Sequence, residues 1–189
     1  MDKLVLNPRD AFTDMGLPHA AGGVTLRADA PSAITSIAPY TGQGKAVSDA
    51  LKPLGATALP KVGSSSKGKG LGLWWVGAGQ WFALGGTPAD IMTALSGKAA
   101  AVDLSDGWVG FRIVGATARD VMARLCPLDT DPNVMPVGHV ARTQFAHMMA
   151  TVHVVEDGFQ VLVMRSFLKT ALEDTIRAID TLAAEALIR

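Results

Sequence analysis

Residues 71–128 read as strand, strand, helix, and then the same again, and any fold for this chain has to accommodate that order. The first unit carries residues 71–76, a Gly77-Ala78-Gly79 turn, residues 80–84 and a helix opening at Thr87. The second carries residues 99–104, a Ser105-Asp106-Gly107 turn, residues 108–114 and a helix opening at Thr117. Thr87, Asp90, Ile91, Met92 and Leu95 match Thr117, Asp120, Val121, Met122 and Leu125 at equal offsets. A threonine suits the position before a helix, where its oxygen can accept from unpaired backbone N–H groups. An aspartate in the first turn meets the positive end of the helix dipole. The apolar members fall on one face of a 3.6-residue period. Thr-x-x-Asp starts are common, so coincidence is the competing explanation. The pattern predicts an α+β fold built of repeated strand–strand–helix units.

A third unit follows. Residues 139–155 are rich in Val, Met and Thr and read as one or two strands, Glu156-Asp157-Gly158 turns, and residues 159–164 return. A helix runs from Ser166 to about residue 184, with Leu168, Leu172, Ile176, Ile179 and Ala183 as its apolar stripe. Before residue 71 the signals weaken. Residues 1–22, with Pro8, Gly16, Pro18 and Gly22, read as an extended arm. Residues 23–28 and 33–38 read as strands and 43–54 as a short helix. Residues 60–70, Pro-Lys-Val-Gly-Ser-Ser-Ser-Lys-Gly-Lys-Gly, have the composition of a flexible loop. Residues 23–189 form one domain on this reading.

Hydrophobic residues are 49% of the chain and charged residues 18%, which is apolar for a protein that works alone and points to a covered interface. Lysine plus arginine equals aspartate plus glutamate at 17 each, so no basic excess is available to neutralise phosphates, and nucleic acid is an unsuitable partner. The first apolar run is short and ends at Pro8, unlike a signal peptide, and no window approaches the ~20 apolar residues of a spanning helix. The expected location is the cytoplasm, away from membranes. Cys126 is the single cysteine, so an internal disulfide and a cysteine-rich zinc site are both excluded. It falls at a helix C-terminus, where the negative dipole end makes a thiol a poor nucleophile.

The motifs that invite chemistry have simpler explanations. Gly63 to Lys69 fits part of a phosphate-binding loop, but Gly70 lacks the hydroxyl that would hold magnesium, and the next residues are β-like rather than a helix start. Gly77-Ala78-Gly79 leads into another strand, so it suits a hairpin rather than a dinucleotide site. His139, His147 and His153 are too far apart along one strand to share a metal, since six residues span roughly 20 Å. Asp103, Asp106, Asp129 and Asp131 could supply a carboxylate pair, but Asp106 and Asp131 have turn or loop explanations. No catalytic constellation emerges. Trp74, Trp75 and Trp81 alternate, which puts tryptophan on both faces of a hairpin and suits a sheet covered by its own helices on one side and by a partner on the other.

The block Val102-Asp103-Leu104-Ser105-Asp106-Gly107-Trp108-Val109 through Ile113 to Met122 resembles the glycine-cleavage T-protein superfamily. Cys126-Pro127-Leu128-Asp129, with Pro132, Pro136 and Gly138, and Val163-Met164-Arg165-Ser166-Phe167 narrow the resemblance to gamma subunits of heterotetrameric sarcosine oxidases. It covers residues 71–178 well, 23–62 loosely, and the first 22 hardly at all. The resemblance implies the folate-binding fold of the T-protein. It also implies a complex that oxidises sarcosine to glycine, produces hydrogen peroxide and hands the one-carbon unit to tetrahydrofolate. The partners would be alpha, beta and delta subunits. FAD, FMN, NAD and tetrahydrofolate would sit on the partner subunits, and this chain would hold no cofactor and contribute no catalytic residue. Trp74, Trp75, Pro127, Leu128 and Arg165 are the candidate interface residues, and the isolated chain is expected to self-associate. The alternatives are a folate-binding module, with a tryptophan stacked on the pterin, and an independent aminomethyltransferase.

Overall fold

The computed structural model describes residues 10–188, so the first nine residues of the expected arm lie outside the described part. The chain runs β1 (His19–Ala21), β2 (Val24–Ala28), β3 (Ile34–Pro39), α1 (Gly44–Leu51), β4 (Ser65–Lys67), β5 (Gly72–Gly77), β6 (Gln80–Leu84), α2 (Pro88–Ala94), β7 (Ala99–Asp103), β8 (Trp108–Gly115), α3 (Ala118–Leu125), β9 (Val140–Phe145), β10 (Met148–Val155), β11 (Gly158–Met164) and α4 (Leu168–Ala186). Two antiparallel sheets result, one ordered β4-β5-β6-β3-β7 and the other β1-β2-β8-β11-β10-β9. The fold is α+β, as the alternating and helical periods predict.

Four layers stack as helices, sheet, sheet, helices. Alternation along each strand creates the two sides of each sheet. Ile37, Leu73 and Ala83 of the first sheet pack under Val47 and Leu51 of α1 and Ile91 of α2. Phe111, Phe159, Val161 and Phe145 of the second sheet pack under Val121, Met122, Leu168 and Leu172 of α3 and α4. Between the sheets lie Ile34, Trp74, Val76, Phe82, Val140 and Leu162. Both faces of the tryptophan hairpin are therefore covered from within the chain: the second cover, expected from a partner, is the chain's own second sheet.

The chain does repeat, but in a larger unit than the matched helix starts suggest. β3-α1-β4-β5-β6-α2-β7 of one sheet corresponds to β8-α3-β9-β10-β11-α4 of the other, with β2 standing where β7 would be. The order strand–strand–helix recurs three times, yet β7 and β8 belong to different sheets, whereas β5–β6 and β10–β11 are true hairpins. Thr87 and Thr117 do precede α2 and α3, but neither side chain caps its helix. Thr117 Oγ1 donates instead to the Gly22 carbonyl at 2.8 Å. Equal spacing of local signals cannot report which strands pair at a distance.

The segments expected to be loose carry structure. Phe12, Met15 and Leu17 pack on the core of the second sheet, and β1 pairs with β2. Within residues 60–70, β4 pairs with β5. Ser64 bridges to His139, joining the two sheets at that end. No helix among the described residues is long and apolar enough to cross a membrane.

Candidate functional site

A cleft of about 940 Å³ opens between the sheets, lined among others by Ser65, Lys67, Trp74, Arg112, His153 and Gln160. β5 supplies Trp74, and β10 and β11 supply His153 and Gln160 as direct cross-strand partners. The Trp74 and His153 rings lie 4.5 Å apart, tilted by 42°. Arg112 is held by Asp29, Nε to Oδ2 at 2.5 Å.

Ser65 Oγ lies 2.9 Å from His153 Nε2, the contact that a serine nucleophile and its base would make. The hydrogen-bond pattern assigns the opposite role. Ser65 Oγ has one proton and lies 3.0 Å from the Gly138 carbonyl, which can only accept. His153 therefore carries its hydrogen on Nε2 and donates to Ser65. Nδ1 is buried without a hydrogen-bond partner, so no carboxylate orients the ring. Burial pushes His153 down to about 4, the positive charge of Arg112 adds to the effect, and the Gln160 side chain partly opposes it. An imidazole so reluctant to accept a proton is a weak base near neutrality. The pair braces β4 against β10.

That assignment has a measurable consequence. The unfolded chain takes up a proton on this histidine near the ordinary pKa of ~6.5, while the native state resists until about 4. The unfolded state thus binds more protons between those limits, and stability falls as pH drops through the window. At about 1.4 kcal/mol per pH unit the loss reaches up to about 3 kcal/mol. His153→Phe keeps the ring contact with Trp74, and Ser65 can still donate to Gly138. Denaturant unfolding from pH 7 to pH 4 is expected to show a shallower decline for the variant than for wild type; parallel curves refute the assignment.

The other sequence candidates fall in dispersed places. Trp74, a proposed interface residue, is 4% exposed and lies between the sheets. Trp75 is half-buried on the opposite face, with Trp81, whose Nε1 donates to the Pro60 carbonyl at 3.0 Å. Pro127 and Arg165 are exposed and Leu128 is half-buried. The Arg165 backbone N–H donates to the Gly107 carbonyl at 2.9 Å. Exposed Met164 and Phe167 flank it. Asp103 and Ser105 form a structural device: Asp103 Oδ1 accepts from the Ser105 N–H and hydroxyl, and Ser105 Oγ accepts from Ile34 N. The two residues end β7 and pin the start of β3. Cys126 is buried, and that burial raises its thiol pKa, partly opposed by a backbone hydrogen bond from Leu128. No cluster of potential metal ligands occurs among the described residues.

Sequence reasoning missed Arg119. It lies over the Phe159 ring at 5.5 Å and reaches the carbonyls of Thr130 and Met135, fixing the proline-bearing segment that follows α3. One arginine in an amphipathic helix gives no signal of such a role.

No protein-family model matches this sequence, and no curated protein does. Among solved structures, the chain is similar to one in heterotetrameric sarcosine oxidase from Corynebacterium sp. U-96, in complex with pyrrole 2-carboxylate. The TM-score is 0.80 at 22% identity, over 93% of this chain and 96% of that one. This is the fold of a sarcosine oxidase chain. Aspartate kinase from Clostridium acetobutylicum (TM-score 0.42, 12% identity, 88% of this chain and 37% of that one) is a remote match. The regulatory subunit of aspartate kinase from Thermus thermophilus (0.40, 16%, 84% and 99%) is another. At those scores the two kinases say nothing of this chain's role. The sarcosine oxidase likeness runs over nearly the whole length of both chains.

Proposed function

We propose that this chain is a non-catalytic, gamma-type subunit of a heterotetrameric sarcosine oxidase, giving shape to an enzyme whose reactive groups lie on other chains. The observation that carries the proposal is the end-to-end likeness to a chain of that complex, 93% of one and 96% of the other. The Cys126-Pro127-Leu128-Asp129 and Arg165-Ser166-Phe167 motifs support it from the sequence. In this reading the assembly demethylates sarcosine to glycine with release of hydrogen peroxide and passes the one-carbon unit to tetrahydrofolate. FAD, FMN, NAD and tetrahydrofolate are held by the alpha, beta and delta partners, in the cytoplasm. The site geometry favours a structural role, because the Ser65–His153 contact is arranged with the histidine as donor. Exposed Met164, Phe167, Val134 and Val137 offer apolar surface for partners.

Co-expression with the three partner subunits is the test. The chain is expected to co-purify with them, and expressed alone to be colourless and prone to self-association. Sarcosine-dependent oxygen consumption should belong to the complex and survive His153→Phe. A well-behaved monomer that ignores the partners, or turnover by the lone chain, overturns the proposal.

A further inference from the structure

We infer that the outer edge of β7 is a docking strand that receives an extended, antiparallel segment of a partner subunit; this rests on the reading of the chain as a subunit. The internal duplication supplies the argument. β7 occupies in the first sheet the place that β2 occupies in the second. β2 is covered on its outer side by β1, a three-residue strand from the extended N-terminal segment, running antiparallel to it. Among the described residues nothing covers β7 in the same way.

The backbone of β7 is set for such a pairing. Leu104 N donates to Ile34 O, and Lys98 O accepts from Tyr40 N, so the even-numbered positions face β3. The odd-numbered positions turn their N–H and C=O groups outward. Ala99 N is taken by the Leu95 carbonyl, which leaves the edge open from Ala101 to Asp103. The sequence Ala99-Ala100-Ala101-Val102 has no lysine, no proline and no bulge, the features by which sheets protect their edges. Val102 is 54% exposed, and exposed Met92 of α2 and Tyr40 after β3 lie on elements adjoining β7. The other sheet ends are better guarded. β4 and the start of β9 are tied by the Ser64–His139 bridge, by Ser65 N donating to Gly138 O and by Val140 N donating to Gly63 O; the rest of β9 carries the charged Arg142, and β1 is very short. The segment that fits is extended, small or apolar beside Val102, and neutral or basic beside Asp103. A partner segment fits better than a second copy, because β1 is an extended segment laid on an edge and the proposed assembly of this chain with alpha, beta and delta partners holds it once.

Ala101→Pro tests this. The Ala101 N–H points away from β3, so proline removes an outward donor without breaking an internal bond. Val102→Lys is the second variant, placing a charge where the side chain is already exposed. Both are expected to fold like wild type by circular dichroism, yet to be recovered with co-expressed partners roughly ten-fold less. In the wild-type complex, the amides of Ala101 and Asp103 should exchange hydrogen at least roughly ten-fold more slowly than in the free chain. Unchanged exchange in an assembled complex, or variants that assemble as wild type does, overturns the inference while leaving the subunit reading intact. A free chain that dimerises with β7 protected identifies a second copy as the occupant and also overturns it. A wild-type chain that never co-purifies overturns both.

Discussion

Arg119→Ala is expected to lower the stability of this chain by about 4 kcal/mol, the scale for losing several hydrogen bonds from a charged group to carbonyls. The segment 126–138 has local shape of its own: Asp129 accepts from Asp131 N, and Asp131 accepts from Asn133 N. Those turns fix its bends but do not hold it to the body. Gly138 at its end bonds to Val154 and Ser65, and within it Arg119 reaches the Thr130 and Met135 carbonyls and the Phe159 ring, above a Met135 side chain that is 2% exposed in the core. Lysine cannot replace the arginine, because a point charge on a flexible stem does not bridge two carbonyls while stacking on a ring. Urea unfolding of Arg119→Ala and Arg119→Lys checks this; a loss under about 1 kcal/mol in both variants shows that the segment holds itself.

Gly68→Ala is expected to cost about 4 kcal/mol or more, a large share of the stability of an ordinary domain. A Cβ at Gly68 would stand 1.8 Å from the Gly55 carbonyl oxygen and 2.9 Å from Ala56 Cα. Both obstacles are backbone, and backbone cannot swing aside as a side chain can. Gly55 is itself constrained, with a φ of 87° and its N–H donating to the Lys52 carbonyl. The lysine and glycine run that resembles a phosphate-binding motif is thus a place where two backbones meet. Lys69→Ala is the control and should sit within about 0.5 kcal/mol of wild type. Thermal unfolding of the two variants side by side decides the matter; equal midpoints would show that the contact yields.

Local chemistry carried much of the architecture in readable form. The β5–β6 hairpin follows from Gly77-Ala78-Gly79 between alternating residues, and α4 from an apolar stripe that starts near Ser166. The helix read over 43–54 is α1 followed by a 3-10 turn at Lys52–Leu54, since Pro53 ends the α-helical ladder. Pairing over long distances was not readable. Nothing near Asp103 or Trp108 states that one strand leaves for each sheet. The histidine spacing argument assumed one continuous strand, but the chain turns at Ala146 and His147, so His139 comes beside β10, its carbonyl accepting from Val154 N at 2.9 Å. His153 looked like any strand histidine because its setting depends on Ser65 and Trp74 from the other sheet.

The exchange of places between β2 and β7 bears on how the molecule is made. A chain emerging from its N-terminus completes the first sheet once residue 103 is out, since every strand in it lies between residues 34 and 103. β1 and β2 wait unpaired on their inner side until β8 arrives, and the second sheet closes only when β11 has come out to join β8 to β10. Such late closure slows folding and leaves sticky nascent edges in the meantime. Synthesis alongside its companions would shelter those edges during that interval.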